Sequence, residues 1–327
     1  MSIKRMNRRR IAVASAAGLV VLLGVGSFSV ASAANPWKRD RGHSRPGPTA
    51  TTSPTAGATP EDDEAADDET ATSAPSATTT SAGGDVTLPP ADGQFDYQIG
   101  GAYTPASSVK IVDRDREAEP AAGKYNVCYV NAFQTQPGEA DFWTGSHDDL
   151  LLKTKSGDYV EDSEWGEFLL DTSTAAKRTA LASIVGGWID GCATAGFDAI
   201  EPDNLDTYDR SGKLLTKANN LAFAKLLADR AHSKGLAIAQ KNTSEITEAE
   251  ATTAGFDFAV AEECQVYSEC DSYTDIYDDL VYEVEYTDNG KSAYTKACAA
   301  QGKDISVILR DRDVVPSGDK AYHYENC

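Results

Sequence analysis

From residue 91 onward the chain alternates short β-rich runs with longer stretches of helical spacing. The runs fall at 96–100, 109–113, 125–131, 198–203, 236–242, 256–262, 280–286 and 305–310. The clearest helical stretches are 175–194 and 220–234. Gly196 and Gly235 each follow a helix and precede a strand, where a helix C-cap belongs. Strand–helix alternation of this kind predicts a parallel sheet with helices outside it. Eight strands within residues 91–327 favour closure into an α/β barrel of the (β/α)8, TIM-like kind over a doubly wound sheet. A ninth candidate at 168–171 is short, and the spacing works without it. The stretch from 131 to 175 is long for a strand-to-helix loop and carries Trp143 and Trp165, so it reads as an elaborated active-site loop.

The first ninety residues read differently. Lys4, Arg5, Arg8, Arg9 and Arg10 precede an uncharged run at 11–30, and Ala31-Ser32-Ala33 puts small residues where a signal peptidase cuts. Residues 1–34 are therefore expected to be a secretory signal cleaved near Ala34. The alternative is an uncleaved anchor, since the apolar run approaches spanning length. Arg8-Arg9-Arg10 also permits twin-arginine export. Residues 35–90 are rich in Thr, Ser, Ala and Pro, hold an acidic run at 61–69, and contain Trp37 as their one aromatic. Such a segment cannot bury enough apolar surface to offset its ordering entropy and predicts a disordered linker. The folded domain is expected over 91–327, as a monomer.

Charge sharpens the picture. The net charge is −21, and residues 1–90 hold nine Lys/Arg and nine Asp/Glu, so the whole of it falls on 91–327. That sign argues against nucleic acid, which is bound by displacing counterions with cationic groups. It also argues against a stable partner in an anionic membrane, and it suits a cationic or neutral partner. All six cysteines lie beyond Tyr125, at Cys128, Cys192, Cys264, Cys270, Cys298 and Cys327. Export permits disulfides. Of the fifteen pairings that six cysteines allow, Cys264–Cys270 would close a short loop and Cys298–Cys327 would tie down the terminus. Cys128–Cys192 is then left by elimination.

Candidate chemistry sits where barrel strands end. One strand ends Glu201-Pro202-Asp203-Asn204, followed by Asp206 and Tyr208. Others end Gln240-Lys241-Asn242, Glu262-Glu263-Cys264, Glu283-Val284-Glu285-Tyr286 and Arg310-Asp311. Alternation puts Glu201 with Asp203 on one face, and Glu283 with Glu285 on one face. Both pairs are expected to line the barrel, where carboxylates are costly without a purpose. The structural alternative is an ion network with Lys241 and Arg310. Paired carboxylates at a rim suit glycoside hydrolysis. No H-x-H or H-E-x-x-H occurs, and His232 sits inside a helix as a packing residue, so no metal or cofactor is expected. A carboxylate-bound Mg²⁺ or Ca²⁺ is the chemical rival.

The segment Asp198-Ala-Ile-Glu-Pro-Asp-Asn-Leu-Asp206 resembles the signature of the endo-α-1,4-polygalactosaminidase family, glycoside hydrolase family 114. Lys241-Asn242, the run from Phe256 to Cys264 with Cys270, Val284-Glu-Tyr286, the Tyr97-Gln-Ile-Gly-Gly101 segment and Cys128-Tyr-Val-Asn131 fit the same family. The resemblance implies a (β/α)8 barrel that hydrolyses α-1,4-linked galactosaminoglycan internally, a polysaccharide of amino sugars that is cationic when deacetylated. It implies Asp203 and Glu262 as the catalytic carboxylates, with Asp203 expected as nucleophile and Glu262 as acid/base. Glu263 stands where the family often has Gln, and alternation says that Glu262 and Glu263 cannot both point inward. Glu201, Asn204, Asp206, Lys241, Asn242, Glu263, Glu285 and Tyr286 are expected to bind sugar or support the pair. Tyr129, Trp143 and Tyr208 are candidate stacking platforms. The competing readings are a non-catalytic carbohydrate-binding barrel at the cell surface and an α-glycosidase of another polysaccharide.

Overall fold

The computed structural model describes residues 86–327; the expected signal and most of the expected linker lie outside the described residues. The strands run β1 (Phe95–Tyr97), β2 (Ile111–Asp115), β3 (Tyr125–Asn131), β4 (Glu161–Asp162), β5 (Glu167–Phe168), β6 (Ala199–Asp203), β7 (Ala237–Lys241), β8 (Phe258–Glu262), β9 (Val281–Tyr286), β10 (Ser306–Arg310) and β11 (Tyr324–Asn326). The helices are α1 (Ala140–Ser146), α2 (Ala175–Ala195), α3 (Thr207–Arg210), α4 (Lys217–Ser233), α5 (Glu248–Ala254), α6 (Cys264–Tyr267), α7 (Cys270–Tyr277) and α8 (Lys291–Ala300). Eight parallel strands form one sheet in the order β1-β2-β3-β6-β7-β8-β9-β10, and β11 adds antiparallel to β10. The eight strands expected from the sequence are those eight. Of the 168–171 candidate only Phe168 is in a strand, β5 of the two-stranded β4–β5 hairpin inside the long excursion after β3, while Leu169 and Leu170 make isolated bridges to Gln134 and Leu151.

Side chains close the seam between β1 and β10. Arg310 is fully buried and donates to the carbonyls of Tyr97, His323 and Val315. Tyr324 Oη donates to Phe95 O at 2.7 Å, and Gln94 Nε2 donates to Tyr324 Oη at 3.1 Å. Arg310 thus ties the seam instead of joining the carboxylates of the mouth.

Alternate residues of each strand divide between two cores, as a period of two requires. Phe95, Tyr97, Val127, Ala199, Ala237, Ala239, Phe258, Val260, Tyr282, Val284 and Ile308 form the inner one. Large aromatics from some strands fill the space left by alanines on others. Cys128, Val130, Ile200, Ile238, Ala259, Ala261, Val281, Val307 and Leu309 face outward into a second core shared with the helices, among them Val185, Ile189, Phe223 and Leu227 of α2 and α4 and Tyr273, Tyr277, Tyr294 and Ala297 of α7 and α8. Thr174 caps α2 by accepting from Lys177 N, and Gly196 ends it at φ 95°. A capping box between Thr216 and Asn219 starts α4 three residues earlier than its apolar pattern suggests.

The three disulfides are those expected: Cys128–Cys192, Cys264–Cys270 and Cys298–Cys327. The first staples β3 to α2, and the last fixes the C-terminus to α8. Among the described residues no helix is long and apolar enough to cross a membrane.

Candidate active site

The inner face of the strands turns polar at their C-terminal ends. Glu201 and Asp203 of β6, Lys241 of β7, Glu262 of β8 and Tyr286 of β9 occupy the positions that continue the inner apolar rows. The residue after each of β6, β7 and β8 has left-handed backbone: Asn204 at φ 70°, Asn242 at φ 50° and Glu263 at φ 61°. Asparagine tolerates that region. These turns end the strands at one level and leave the preceding side chains on the rim.

Lys241 organises the mouth. Its side chain is 1% exposed, and its Nζ lies 2.5 Å from Glu201 Oε1, 3.2 Å from Asp203 Oδ1 and 3.4 Å from Glu262 Oε2. It also donates to Tyr97 Oη at 2.8 Å, and that hydroxyl donates to Glu201 Oε1 at 2.9 Å. Burial alone would favour a neutral amine, but the charges of Asp203, Glu201 and Glu262 outweigh it and hold Lys241 well above its ordinary pKa. The ammonium is therefore permanent. Asp203 and Glu262 are the reachable members of the cluster, with side chains 18% and 22% exposed against 0% for Glu201.

Each of the two outer carboxylates has its own clamp. Tyr129 Oη donates to Asp203 Oδ2 at 2.7 Å. Tyr286 Oη donates to Glu262 Oε1, and Asn242 Nδ2 donates to Glu262 Oε2 at 3.0 Å while its Oδ1 accepts from Glu262 N at 2.8 Å. The environments push the two pKa values apart. Burial raises both. For Glu262 the charge of Lys241 and the bonds from Tyr286 and Asn242 win, and it sits at about 2. For Asp203 burial wins over Lys241, with Glu262 and Glu201 adding to the rise, and its pKa is raised. In the resting site Glu262 carries the charge, and Asp203 is the first of the two to accept a proton.

Other expected site residues fall into place around this pair. Asn204 donates to Asn131 Oδ1 at 2.9 Å and accepts from Arg210. Asp206 pairs with Arg210 at 2.7 Å on the loop after β6. Tyr208 donates to Glu245 and packs on the Leu152–Leu169–Leu215 cluster at that rim. Glu263 turns away from Glu262, as alternation requires, and bonds Arg312 and Asn289.

Three expectations need correction. Trp143 is fully buried beneath α1, with its ring 6.0 Å from Trp188, so it is core and offers no platform. Tyr129 is also buried, and its hydroxyl serves Asp203; it positions a carboxylate instead of stacking on a sugar. Glu285 and Glu283 lie on the outer face of β9, because Tyr282, Val284 and Tyr286 take the inner one. Glu285 Oε1 accepts from Gln265 N at 3.0 Å, behind the Cys264–Cys270 disulfide and away from the mouth.

Sequence reasoning passed over four residues. Tyr97 was noted only for its family motif, yet it bridges Lys241 and Glu201. Arg312 stacks on Tyr286 with its guanidinium carbon 4.1 Å from the ring centroid, and it bonds Asp288 at 2.9 Å. Its signal was parity: it is two residues beyond Arg310, a residue of the inner face. Glu167 reaches the mouth from the excursion and accepts from Asn131 and Gln134, each at 3.0 Å. Asp113 lies on β2 below the mouth, fully buried.

Among the described residues the one cluster with metal-ligand spacing is Cys264, Cys270 and Glu283, and its two cysteines are joined as a disulfide.

The chain matches the sequence profile of glycoside-hydrolase family GH114 over residues 75–327. No curated protein sequence matches. Among solved structures, Ega3 of Aspergillus fumigatus in complex with galactosamine is similar at 23% identity and a TM-score of 0.58, covering 76% of this chain and 100% of that one. The glycoside hydrolase domain of PelA from Pseudomonas aeruginosa is similar at 13% identity and a TM-score of 0.47, covering 69% and 96%. With the profile spanning the whole barrel and its polar mouth, this chain belongs to glycoside hydrolase family GH114 and is a glycoside hydrolase.

Proposed function

We propose that this glycoside hydrolase cleaves α-1,4-linked galactosamine-containing polysaccharide within the chain, using Asp203 and Glu262 as its two working carboxylates. The observation that carries the reading is the pair itself: two reachable carboxylates at the open end of the barrel, flanking one permanent ammonium. Their nearest oxygens are no further apart than the 3.2 Å and 3.4 Å legs through Lys241 laid end to end. That limit is compatible with the ~5–5.5 Å between the carboxyl groups of retaining enzymes. A nucleophile paired with an acid/base is the retaining arrangement, and retention is the outcome we propose for the azide products below to test.

In such a reaction one carboxylic acid gives its proton to the glycosidic oxygen. The C1–oxygen bond breaks toward that oxygen while the other carboxylate bonds C1. Water then attacks C1, passes its proton to the first carboxylate and frees the second. The family motif implies Asp203 as the attacking group; the resting charges favour Glu262. Azide added to Asp203→Gly and Glu262→Ala variants distinguishes them. The variant lacking the nucleophile yields a glycosyl azide of inverted configuration, and the one lacking the acid/base yields the retained product.

The substrate assignment is supported by the galactosamine bound in the Ega3 structure and by charge. The −21 of the chain falls on the barrel region, and deacetylated galactosamine polymer is a polycation. A groove of about 300 Å³ at the ends of the first strands, lined by Gly100, Asp115, Glu117 and Glu139 among others, gives a neighbouring sugar room, with Arg116 pairing two of its three acids. Three disulfides fit an oxidising, extracellular setting.

The test is to incubate the purified protein with partly deacetylated galactosaminoglycan and follow product masses. Internal shortening, weakening as salt rises, is expected. Cleavage of a different α-linked polymer but of no galactosamine polymer overturns the substrate. Saturable binding without new reducing ends overturns the enzyme reading in favour of a binding barrel.

A further inference from the structure

Beneath the catalytic pair the barrel holds two more carboxyl groups that the hydrolytic steps do not consume. Asp113 on β2 and Glu201 on β6 are both fully buried. Glu201 uses one oxygen twice: Oε1 accepts from Tyr97 and from Lys241. Among the described residues no donor reaches Glu201 Oε2, and none reaches either oxygen of Asp113. Yet both side chains point into the barrel across the single strand β3: Asp113 is in register with Val127, and Val127 with Ala199, one inward position below Glu201, and the Glu201 carboxylate is the hydrogen-bonding group that faces Asp113. Facing carboxylates in a dry interior repel, and a bond between them requires a proton on one.

We propose that Asp113 and Glu201 share one proton, carried on Asp113, which donates to Glu201 Oε2 and so acts as a positioning residue for Lys241. The charge balance of the interior demands it. Asp113, Glu201, Asp203 and Glu262 gather around Lys241, the one cation buried among them, while the neighbouring Arg210 and Arg312 pair with Asp206 and Glu263. Three uncompensated negative charges at this spacing would cost more than a small domain's whole stability. Burial, reinforced by the charge of Glu201, pushes Asp113 far above the carboxylate range, which agrees with the proton residing there. The arrangement also has a geometric product. With Oε2 engaged by Asp113, Glu201 cannot rotate, and Oε1 stays directed at Lys241 and Tyr97. Lys241 is thereby fixed at the one place from which it reaches both Asp203 and Glu262. An ionised Asp113 would instead raise Asp203 further and compete for the ammonium.

The role in turnover rests on the function proposed above; the shared proton does not. The experiment uses the purified full-length protein with Asp113→Asn and Asp113→Ala. An asparagine amide can donate to Glu201 and is neutral, so Asp113→Asn is expected to keep kcat and KM within about 2-fold of wild type. Asp113→Ala leaves Glu201 Oε2 without a donor, and kcat is expected to fall about 10-fold with KM little changed. A loss in Asp113→Asn as large as in Asp113→Ala overturns the proposal, because it would mean that Asp113 works as an anion. Infrared difference spectroscopy gives a readout independent of turnover and of whether the alanine variant folds. Wild type at neutral pH should show a carboxylic-acid carbonyl band that Asp113→Asn lacks. If the two spectra show no such difference, Asp113 is ionised and the proposal fails, whatever polymer the enzyme cleaves.

Discussion

Two strands of this barrel end in nearly the same sequence and do opposite things. β6 ends Glu201-Pro202-Asp203, and β9 ends Glu283-Val284-Glu285-Tyr286. Each offers two acids spaced by one residue. On β6 the acids take the inner face and meet Lys241; on β9 they take the outer face and meet the α6–α7 corner. Spacing sets which acids travel together, but parity against the barrel axis sets where they go. What fixes parity is the apolar partner set. Tyr282 and Val284 fill the inner core, so Glu283 and Glu285 are sent outward. On β6 it is Ala199 that faces inward, and Ile200 packs against the helices. The surroundings then decide the chemistry. The inner pair has a cation and hydroxyl donors. The outer pair has a backbone N–H from Gln265 and otherwise chiefly itself.

The comparison breaks most sharply at the mouth. Asp203→Asn and Glu262→Gln are each expected to lower kcat by about 10²–10⁴-fold, the range for losing a carboxylate used in proton transfer or attack. Initial-rate measurements on the galactosamine polymer check this, with circular dichroism confirming the fold. If either variant keeps full activity, that residue is not one of the pair.

Lys241→Met tests whether the ammonium is the organiser. Removing one partner of a buried ion cluster leaves the others uncompensated and costs about 3–5 kcal/mol. Reduced stability and activity down by about 10² or more are expected. Because Lys241 is the leading influence that lowers Glu262, the acidic limb of the kcat/KM profile should also move to higher pH in whatever activity remains. An unchanged limb would show that Tyr286 and Asn242 hold Glu262 on their own.

On β9 the expected effects reverse. Glu283→Gln and Glu285→Gln should leave kcat/KM within about 2-fold, since neither side chain reaches the mouth. Stability should respond instead. Burial raises both pKa values, Glu283 further through the charge of Glu285. The native state therefore holds a proton that the unfolded chain releases, and wild-type stability falls as pH climbs above the ordinary carboxylate range. Glu283→Gln should flatten that fall in thermal unfolding across pH. A large loss of activity in either variant would mean that the β9 acids are coupled to the mouth after all.

How far the sequence reached follows from the same contrast. Strand and helix positions were legible because alternation and helical spacing are local, and the ends of the eight strands were off by three residues at most. Disulfide pairing was legible because loop length and chain end restrict it. Asp203, Glu262, Lys241, Asn242 and Tyr286 were legible as strand-end residues with a family motif. Parity was not: Glu283 and Glu285 alternate as cleanly as Glu201 and Asp203, and only packing against Tyr282 and Val284 separates them. Trp143 looked like a platform because an aromatic in a long polar excursion is ambiguous until its partner, Trp188, is known. Glu167, which approaches from a hairpin outside the barrel, leaves no local mark, and Arg312 leaves only its parity with Arg310.

Glu167 lies between the two extremes and gives the smallest expected effect. It comes from the β4–β5 hairpin outside the barrel, yet it touches the mouth through Asn131. It has the burial of the β9 acids and two side-chain amide donors, from Asn131 and Gln134. Burial outweighs those bonds, Asp203 adds its charge, and the carboxyl titrates at about 7. Its unfolded value lies near 4.3. Between those values the folded state binds the extra proton, so this group's favourable contribution is intact below about pH 4 and is lost as pH rises through about 7. Glutamine at this position keeps an acceptor for both amides and removes the titration. Glu167→Gln should therefore match wild type in chemical unfolding near pH 5 and exceed it near pH 8 by about 1–3 kcal/mol, with activity changed only a few-fold. Equal stability of the two proteins at both pH values would show that the hairpin opens to solvent, placing Glu167 with the surface acids and not with the buried ones.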